Sequence, residues 1–597
     1  MEEKLREGMG AIVSEDGVTF RVWAPNAQRV FVMGSFNKWN DESNELEHRA
    51  DGYWDTFVEG AKTGDEYKYV LLNGEQKLSR NDPYARLVTQ SNGNSVIYDP
   101  YKDWEDHQFQ IAPFNELVIY EIHIGTFNRE GLEEDQVGTF YTAVEKLDYL
   151  RDLGINAIEI MPVMEFAGDH SWGYNPSHPF AIETAYGGPD GLKHFIFEAH
   201  IRGIAVIMDV VFNHFGPSDM DLWQFDGWKE GDYGGIYFYN DHKAKTPWGE
   251  NRPDYGRKEV LNYLRDNALM WLDTFQCDGL RFDATAFIRY MDHADPHNHT
   301  ELKEGYAFLQ SLNSELKERF PHKILIAEDL QADPVVTADI EHNGLGFHTQ
   351  WGTGFAHGIK RVLLEVHDRH RNLQLVVESL FTRFNNDAFQ RIIFTESHDH
   401  VANGSSRLPE EIQPGEADGE YAKKKSTLGA ITLFTAPGIP MIFQGQEFLT
   451  YGSFSDTNPL DWSWQANFNG ISIMFRDLIN LRKGLDPALI GLSGQGTETL
   501  HFNQETLVLA YSRTHLDHLE NPALIILNFS DHERYDYKVG VPFEGDWHVK
   551  FNSGWKGYDQ DFSEIEVSSV HTGDGIEDKP FSIVINLPAY GGVILAK

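Results

Sequence analysis

The stretch "CDGLRFDATAF", residues 277–287, reads as a short apolar strand that nevertheless carries Arg281 and Asp283 two positions apart. Strand alternation points residues two apart to the same face. Charges in such a place are costly to bury unless they are paired or put to use. The stretch is entered from "RKEVLNYLRDNALMWLDTF" (257–275), where Val260, Leu261, Leu264, Ala268, Leu269 and Leu272 recur at helical spacing.

The same alternation of helix and apolar strand extends in both directions. Upstream stand "LVIYEIHIGTF" (117–127), "FYTAVEKLDYLRDLG" (140–154), "AIEIMPV" (157–163), "DGLKHFIFEAHIRG" (190–203) and "AVIMDVVFNH" (205–214). Downstream stand "ELKEGYAFLQSLNSELKERF" (301–320), "KILIAED" (323–329), "RIIFTESHD" (391–399), "KSTLGAITLFTAPG" (425–438), "PMIFQGQEF" (440–448) and "ISIMFRDLINLRKG" (471–484). About eight such units predict an α/β fold, a (β/α)8 TIM barrel over 109–486. Residues 215–255 are too long for an ordinary βα loop and predict an inserted subdomain. Residues 1–108 and 487–597 are instead short runs rich in Val, Ile, Phe, Tyr and Trp between turn residues, which predicts a flanking β-sandwich at each end. A polar stretch from Lys102 to Phe114 reads as the first linker.

Composition narrows the function. A formal net charge of −42 repels phosphate backbones, so no nucleic-acid partner is expected. No apolar run is long enough to span a membrane, and the N-terminus lacks the apolar core of a signal peptide. With Cys277 as the single cysteine, an intrachain disulfide is excluded, and the expectation is a cytoplasmic protein. No metal-ligand cluster and no glycine-rich phosphate loop is evident, so neither a metal nor another cofactor is expected.

Four apolar runs end in an acid, at Asp209, Asp283, Glu328 and Asp399. In a (β/α)8 barrel the strand C-termini build one site, so these acids should converge. Helix capping is the alternative use of Asp after a strand. It accounts poorly for Glu328, and not at all for Arg281 or for His214 and His398 beside two of the acids. Several carboxylates without a metal suit glycoside cleavage, where one attacks the anomeric carbon and a second, protonated, serves the leaving oxygen. Arg281 beside Asp283 would keep an attacking carboxylate ionised and oriented.

The motifs "DVVFNH" (209–214), "GLRFDA" (279–284), "AED" (327–329) and "SHD" (397–399), in this order, resemble the four regions of the α-amylase superfamily, glycoside hydrolase family 13. The resemblance covers the central barrel and implies Asp283 as nucleophile, Glu328 as acid/base and Asp399 as transition-state stabiliser. It further implies that His214, Arg281 and His398 contact the sugar, that Asp209 supports them, and that Tyr174 in "SWGYNP" stacks on it. Asn213 resembles a residue that binds calcium in many amylases, a weak metal signal on its own. The N-terminal "TFRVWAPNAQRVFVMGSFNKWN" and "GYWDTFV" are similar to carbohydrate-binding module family 48, which makes Trp39 and Trp54 candidate stacking platforms; the competing use of such tryptophans is core packing.

Within the superfamily, "RFDATAFIRYMDH", "IAED", "TESHD" and "PLDW" (459–462) look more like glycogen branching enzymes than amylases. The implied substrate is α-1,4-glucan: glycogen, amylose or maltooligosaccharides. Against this, "DVVFNHFGP" and "TPWGE" (246–250) resemble maltooligosyltrehalose trehalohydrolase, and His400 stands where branching enzymes usually carry Glu or Gln. A hydrolase is therefore the alternative, and a catalytically silent glucan-binding protein the remote one. The aromatic-rich insert from Trp223 to Trp248 (Trp223, Phe225, Trp228, Tyr233, Tyr237, Phe238, Tyr239) is expected to wall an acceptor groove.

Overall fold

The computed structural model describes residues 5, 7–101, 109–216, 220–292 and 300–597. Its centre is a closed barrel of eight parallel strands: β1 (Ile119–Ile122), β2 (Ala157–Ile160), β3 (Ala205–Val210), β4 (Gly279–Phe282), β5 (Ile324–Ala327), β6 (Thr349–Trp351), β7 (Arg391–Ile393) and β8 (Ile439–Phe443). The order runs β1 to β8 with β8 pairing back to β1, so no edge is left unpaired. Every strand is fully buried, as expected for a parallel sheet enclosed by helices.

Helices return the chain to the next strand wherever apolar residues recur at helical spacing. Lys258–Leu269, for example, buries Val260, Tyr263, Leu264 and Ala268, then widens into a π turn over Met270–Thr274 before β4. Leu147–Leu153 stops at Gly154, whose φ of 101° closes the helix in the left-handed region that glycine adopts freely. Between β5 and β6, by contrast, the chain makes only two single 3₁₀ turns, Pro334–Val336 and Ile340–His342, in the place where a (β/α)8 unit ordinarily has a helix.

The N-terminal module is a sandwich of two sheets, built on Gly17–Trp23 and Tyr53–Glu59 in one and on Arg29–Gly34 and Glu66–Asn73 in the other. Residues 102–108 of the expected linker lie outside the described residues, while Phe109 already stacks on His200 of the barrel at 4.2 Å. The C-terminal sandwich begins at Gly496 and pairs its last strand, Gly591–Ala596, between His518–Asn528 and Asp546–Asn552.

Two expectations are corrected here. Trp54 is only 6% exposed and its indole N–H donates to the Ala24 carbonyl at 3.0 Å, so it fills the sandwich core and offers no face to a sugar. Trp39 remains available: it is 38% exposed on a turn where Lys38 and Trp39 both hold positive φ, a strained conformation for bulky residues. Four of the seven insert aromatics also leave the expected groove wall, while Trp223, Trp228 and Tyr233 stay half-buried. Phe225, Tyr237, Phe238 and Tyr239 are buried, and the insert is fastened to the N-terminal module. Asn26 donates to the Asp226 carboxylate at 2.9 Å, Arg80 to the Phe225 carbonyl at 3.0 Å, and Trp23 meets Tyr237 edge-on.

This packing has a consequence for truncation. Removing residues 1–108 would bare the insert's aromatic core, so the truncated protein should melt at lower temperature and bind a hydrophobic dye, checked by differential scanning fluorimetry. A truncated protein with unchanged melting would show the module to be an independent appendage.

Candidate active site

The site is assembled at the C-terminal ends of the strands around one arginine. Asp209 on β3 and Arg281 on β4 are register partners on neighbouring strands. Asp283 and Glu328 are the residues immediately after β4 and β5, and their backbone N–H groups continue the ladder to Val210 and Phe282. The fully buried Arg281 guanidinium donates through Nη1 to Asp209 Oδ2 at 2.7 Å and to Asp283 Oδ1 at 2.9 Å, and Nη2 lies 3.5 Å from Glu328 Oε2. One cation therefore gathers three carboxyl groups. The opening strand carries its charges because each has a partner at the strand end. Beneath the guanidinium lies the ring of Trp351, 4.4 Å away at the end of β6.

Further contacts fix the orientation of each acid. Asp283 Oδ2 accepts from Asn213 Nδ2 at 2.6 Å, so that amide is engaged with Asp283. Glu328 Oε2 accepts from the Ala284 backbone N–H at 2.6 Å. Tyr174 donates its hydroxyl to Asp209 at 2.7 Å and stacks its ring on His398 at 5.2 Å. His398 Nδ1 and its backbone N–H both bond Glu121 of β1, at 2.5 and 3.0 Å, and its Nε2 faces Asp399 at 3.6 Å. His214 is buried and stacked flat on Trp248 of the insert at 4.3 Å, with Asn213 bonded to its Nδ1.

Asp399 departs from the expected position. Strand β7 ends at Ile393, and Asp399 opens a short turn, Asp399–Val401, with its side chain 47% exposed. It reaches the cleft because the intervening loop carries it there, not because the strand does.

These environments separate the acids electrostatically. Burial pushes the Glu328 carboxyl up to about 8; Arg281 opposes the shift, and the negative Asp283 and Asp399 add to it. Burial likewise lifts Asp209 to about 7 against the pull of Arg281. Burial alone would lower His398, but Asp399 and Glu121 outweigh it and raise the ring to about 9, so it is cationic at neutral pH. Burial depresses His214 to about 4, which leaves it neutral. A carboxyl that keeps its proton at pH 7 thus stands beside an arginine-bound carboxylate, with a third carboxylate open to solvent. That is the equipment for protonating a leaving oxygen while a second oxygen attacks the carbon it leaves.

Sequence reading missed three neighbours. Glu121 and Glu159 sit inside "LVIYEIHIGTF" and "AIEIMPV", the same signal of an acid within an apolar strand that marked Asp209. They are register partners on β1 and β2; Glu159 is buried with its carboxyl lifted well above the ordinary range by burial and by Glu121. Trp351 gave no comparable signal, since only the folded chain puts it against Arg281, whereas Trp248, the far end of the expected groove wall, lies against His214.

Comparison with known proteins agrees with this architecture. Residues 8–85 match carbohydrate-binding module 48 (isoamylase N-terminal domain), 122–253 and 222–466 the alpha amylase catalytic domain, and 501–597 the alpha amylase C-terminal all-beta domain. The chain is 33% identical to the 1,4-alpha-glucan branching enzyme GlgB of Rhodopseudomonas palustris, covering 93% of this chain and 79% of the relative. It is 31% identical to GlgB of Salinibacter ruber, over 99% of this chain and 96% of the relative. Among solved structures, a type I pullulanase from Bacillus subtilis shares the fold with a TM-score of 0.75 at 22% identity, covering 100% of this chain and 86% of that one. Matches to carbohydrate-binding module 48, the alpha amylase catalytic domain and the alpha amylase C-terminal domain follow one another along this chain, and the chain belongs to the α-amylase superfamily, within the GlgB branching-enzyme family.

Proposed function

We propose that the protein is a retaining 1,4-α-glucan branching enzyme that acts in the cytoplasm. The observation that carries the chemistry is the single buried guanidinium holding Asp283 and Glu328, the latter with its carboxyl lifted to about 8. Asp283 attacks C1 of a glucan residue while Glu328 passes its proton to the departing 4-oxygen, leaving a glycosyl ester on Asp283. Glu328, now a carboxylate, takes the proton from a 6-hydroxyl of an acceptor chain; that oxygen attacks C1, the ester bond breaks, and an α-1,6 branch is formed. Asp399 adds negative charge where the oxocarbenium-like state is positive, Asp209 holds Tyr174 and Arg281 in place, and Tyr174 and His398 hold the sugar. Kinship with GlgB proteins along nearly the whole chain favours a glucan hydroxyl over water as acceptor.

Branching and hydrolysis differ in what they leave behind. Amylose treated with this protein should lose iodine colour with almost no rise in reducing ends, and a debranching enzyme should then release short chains. Reducing sugar rising in step with the loss of colour would make the protein a hydrolase. Release of trehalose from a maltooligosyl-trehalose would identify the specific alternative.

The same site sets the pH response. As acid, Glu328 must be protonated, and its protonated fraction falls as pH rises through about 8. The rate should therefore hold through neutrality and decline on the basic side with a midpoint near pH 8, as measured by kcat/KM for amylose. A limb near the ordinary glutamate value, with a steady fall from pH 5 upward, would remove Glu328 from the role of acid.

A further inference from the structure

We propose that the acceptor glucan is held in a pocket beside Asp399, between the helix Thr353–Leu364 and the turn Asp399–Val401. The inference rests on the branching reading above and names the place where the second chain binds.

The pocket is an open hollow of about 710 Å³, a shape that suits a chain lying across the surface. One wall is a stripe of the helix, His357, Lys360, Arg361 and Leu364, whose spacing of three and four residues puts them on one face. The opposite wall is Asp399, His400 and Glu411. Asp399 thus belongs to both the pocket and the cleft, where it faces His398 at 3.6 Å. A chain lying in the pocket has its hydroxyl groups next to the reacting centre and takes the place of bulk water there.

The chemistry of the walls suits a neutral polyol. Lys360 is neutralised by Glu411 at 2.8 Å and also donates to the His400 carbonyl at 3.3 Å, an arrangement that ties the helix to the turn. The His400 ring bonds Ser397 at 2.9 Å; burial, with His357 nearby, lowers it to about 4, so it is uncharged at neutral pH. His357 and Arg361 are exposed and, among the described residues, engage no side-chain hydrogen bond, so their N–H groups are open to sugar hydroxyls. With Lys360 paired to Glu411, and with Glu365, Asp399 and Glu411 all lining the pocket against Lys360 and Arg361, the walls offer no concentrated positive charge for a phosphate.

The test separates the acceptor from the donor. Amylose is supplied as donor and fluorescently labelled maltohexaose as acceptor, and labelled branched product is followed against maltohexaose concentration. For His357→Ala combined with Arg361→Ala, the concentration giving half-maximal labelling should rise about tenfold or more, since hydrogen bonds to the acceptor are lost. Reducing ends formed per branch should rise in the same variant, because water then competes better for the glycosyl ester. His357→Ala combined with Arg361→Gln, which restores an N–H donor at the second position, should recover part of the affinity. Both positions are exposed, and a thermal melt confirms that the variants are folded. Unchanged acceptor dependence and unchanged partition in a folded, active variant would overturn the pocket while leaving the branching reading intact. Absence of α-1,6 linkages in the wild-type product would overturn the branching reading and the pocket with it.

Discussion

Asp283→Asn should stay folded and lose at least about 10⁴-fold in kcat, with Glu328→Gln close behind, because both residues act on one double-displacement path. The two losses should not add: once the glycosyl ester cannot form, the state of the acid no longer matters. Asparagine keeps the shape of Asp283, its amide oxygen can still accept from Arg281, and Asn213 keeps its bond to the backbone carbonyl of residue 283, so the variant tests chemistry more than architecture. The two can also be told apart. A glycosyl fluoride leaves without help from an acid, so Glu328→Gln should still form the ester from α-maltosyl fluoride and release fluoride in a burst, whereas Asp283→Asn should not. More than a few per cent of wild-type turnover in Asp283→Asn would sink its assignment as nucleophile.

Glu328→Gln should at the same time be the more stable protein at alkaline pH. The folded-state carboxyl sits at about 8, above its ordinary value of 4.5, so between those values the folded state binds more protons than the unfolded one. Stability is then fully present below the ordinary value and is lost as pH rises through the window. Glutamine does not titrate, so the melting-temperature difference between variant and wild type should grow from pH 5 to pH 8. A constant difference would show that Glu328 does not carry a raised carboxyl.

Much of this site was legible before folding because a (β/α)8 barrel turns sequence order into spatial convergence. An acid at the end of an apolar run needs no knowledge of packing to be placed, and Asp209, Asp283 and Glu328 lie at or just after their strands. Strand β6 escaped notice because it has three residues, Thr349–Trp351, and no apolar run to mark it. Asp399 was assigned to a strand end that lies at Ile393, since "RIIFTESHD" gives no sign of where pairing stops. Aromatic residues were the least readable. The same composition that would wall a groove also fills a core, and Phe225, Tyr237 and Trp54 chose the core, whereas Trp248 stacks on His214 at the cleft. Exposure of an aromatic is decided by contacts far along the chain, such as Asn26 with Asp226, which no local pattern encodes.

Arg281→Met should be the most damaging single change to the molecule as a whole, costing both stability and about 10³-fold or more in kcat. The guanidinium is fully buried against Trp351 and is the only cation reaching Asp209, Asp283 and Glu328 among the described residues. Breaking a buried ion pair by removing one partner typically costs about 3–5 kcal/mol, because the opposite charge remains desolvated. The carboxyls can relieve that cost only by binding protons. Arg281 is what holds Asp209 and Glu328 down, so its loss moves both upward from about 7 and about 8. Relative to wild type, the folded variant then carries more protons, and its stability should fall further as pH rises. The basic limb of its residual activity should move to higher pH, since Glu328 keeps its proton longer. Arg281→Lys restores a charge but not the fork that bridges Nη1 to two acids and Nη2 to a third, so it should recover stability more than rate. A pH–rate profile for Arg281→Met with its basic limb at or below that of wild type would show that this arginine does not set the protonation of the cleft.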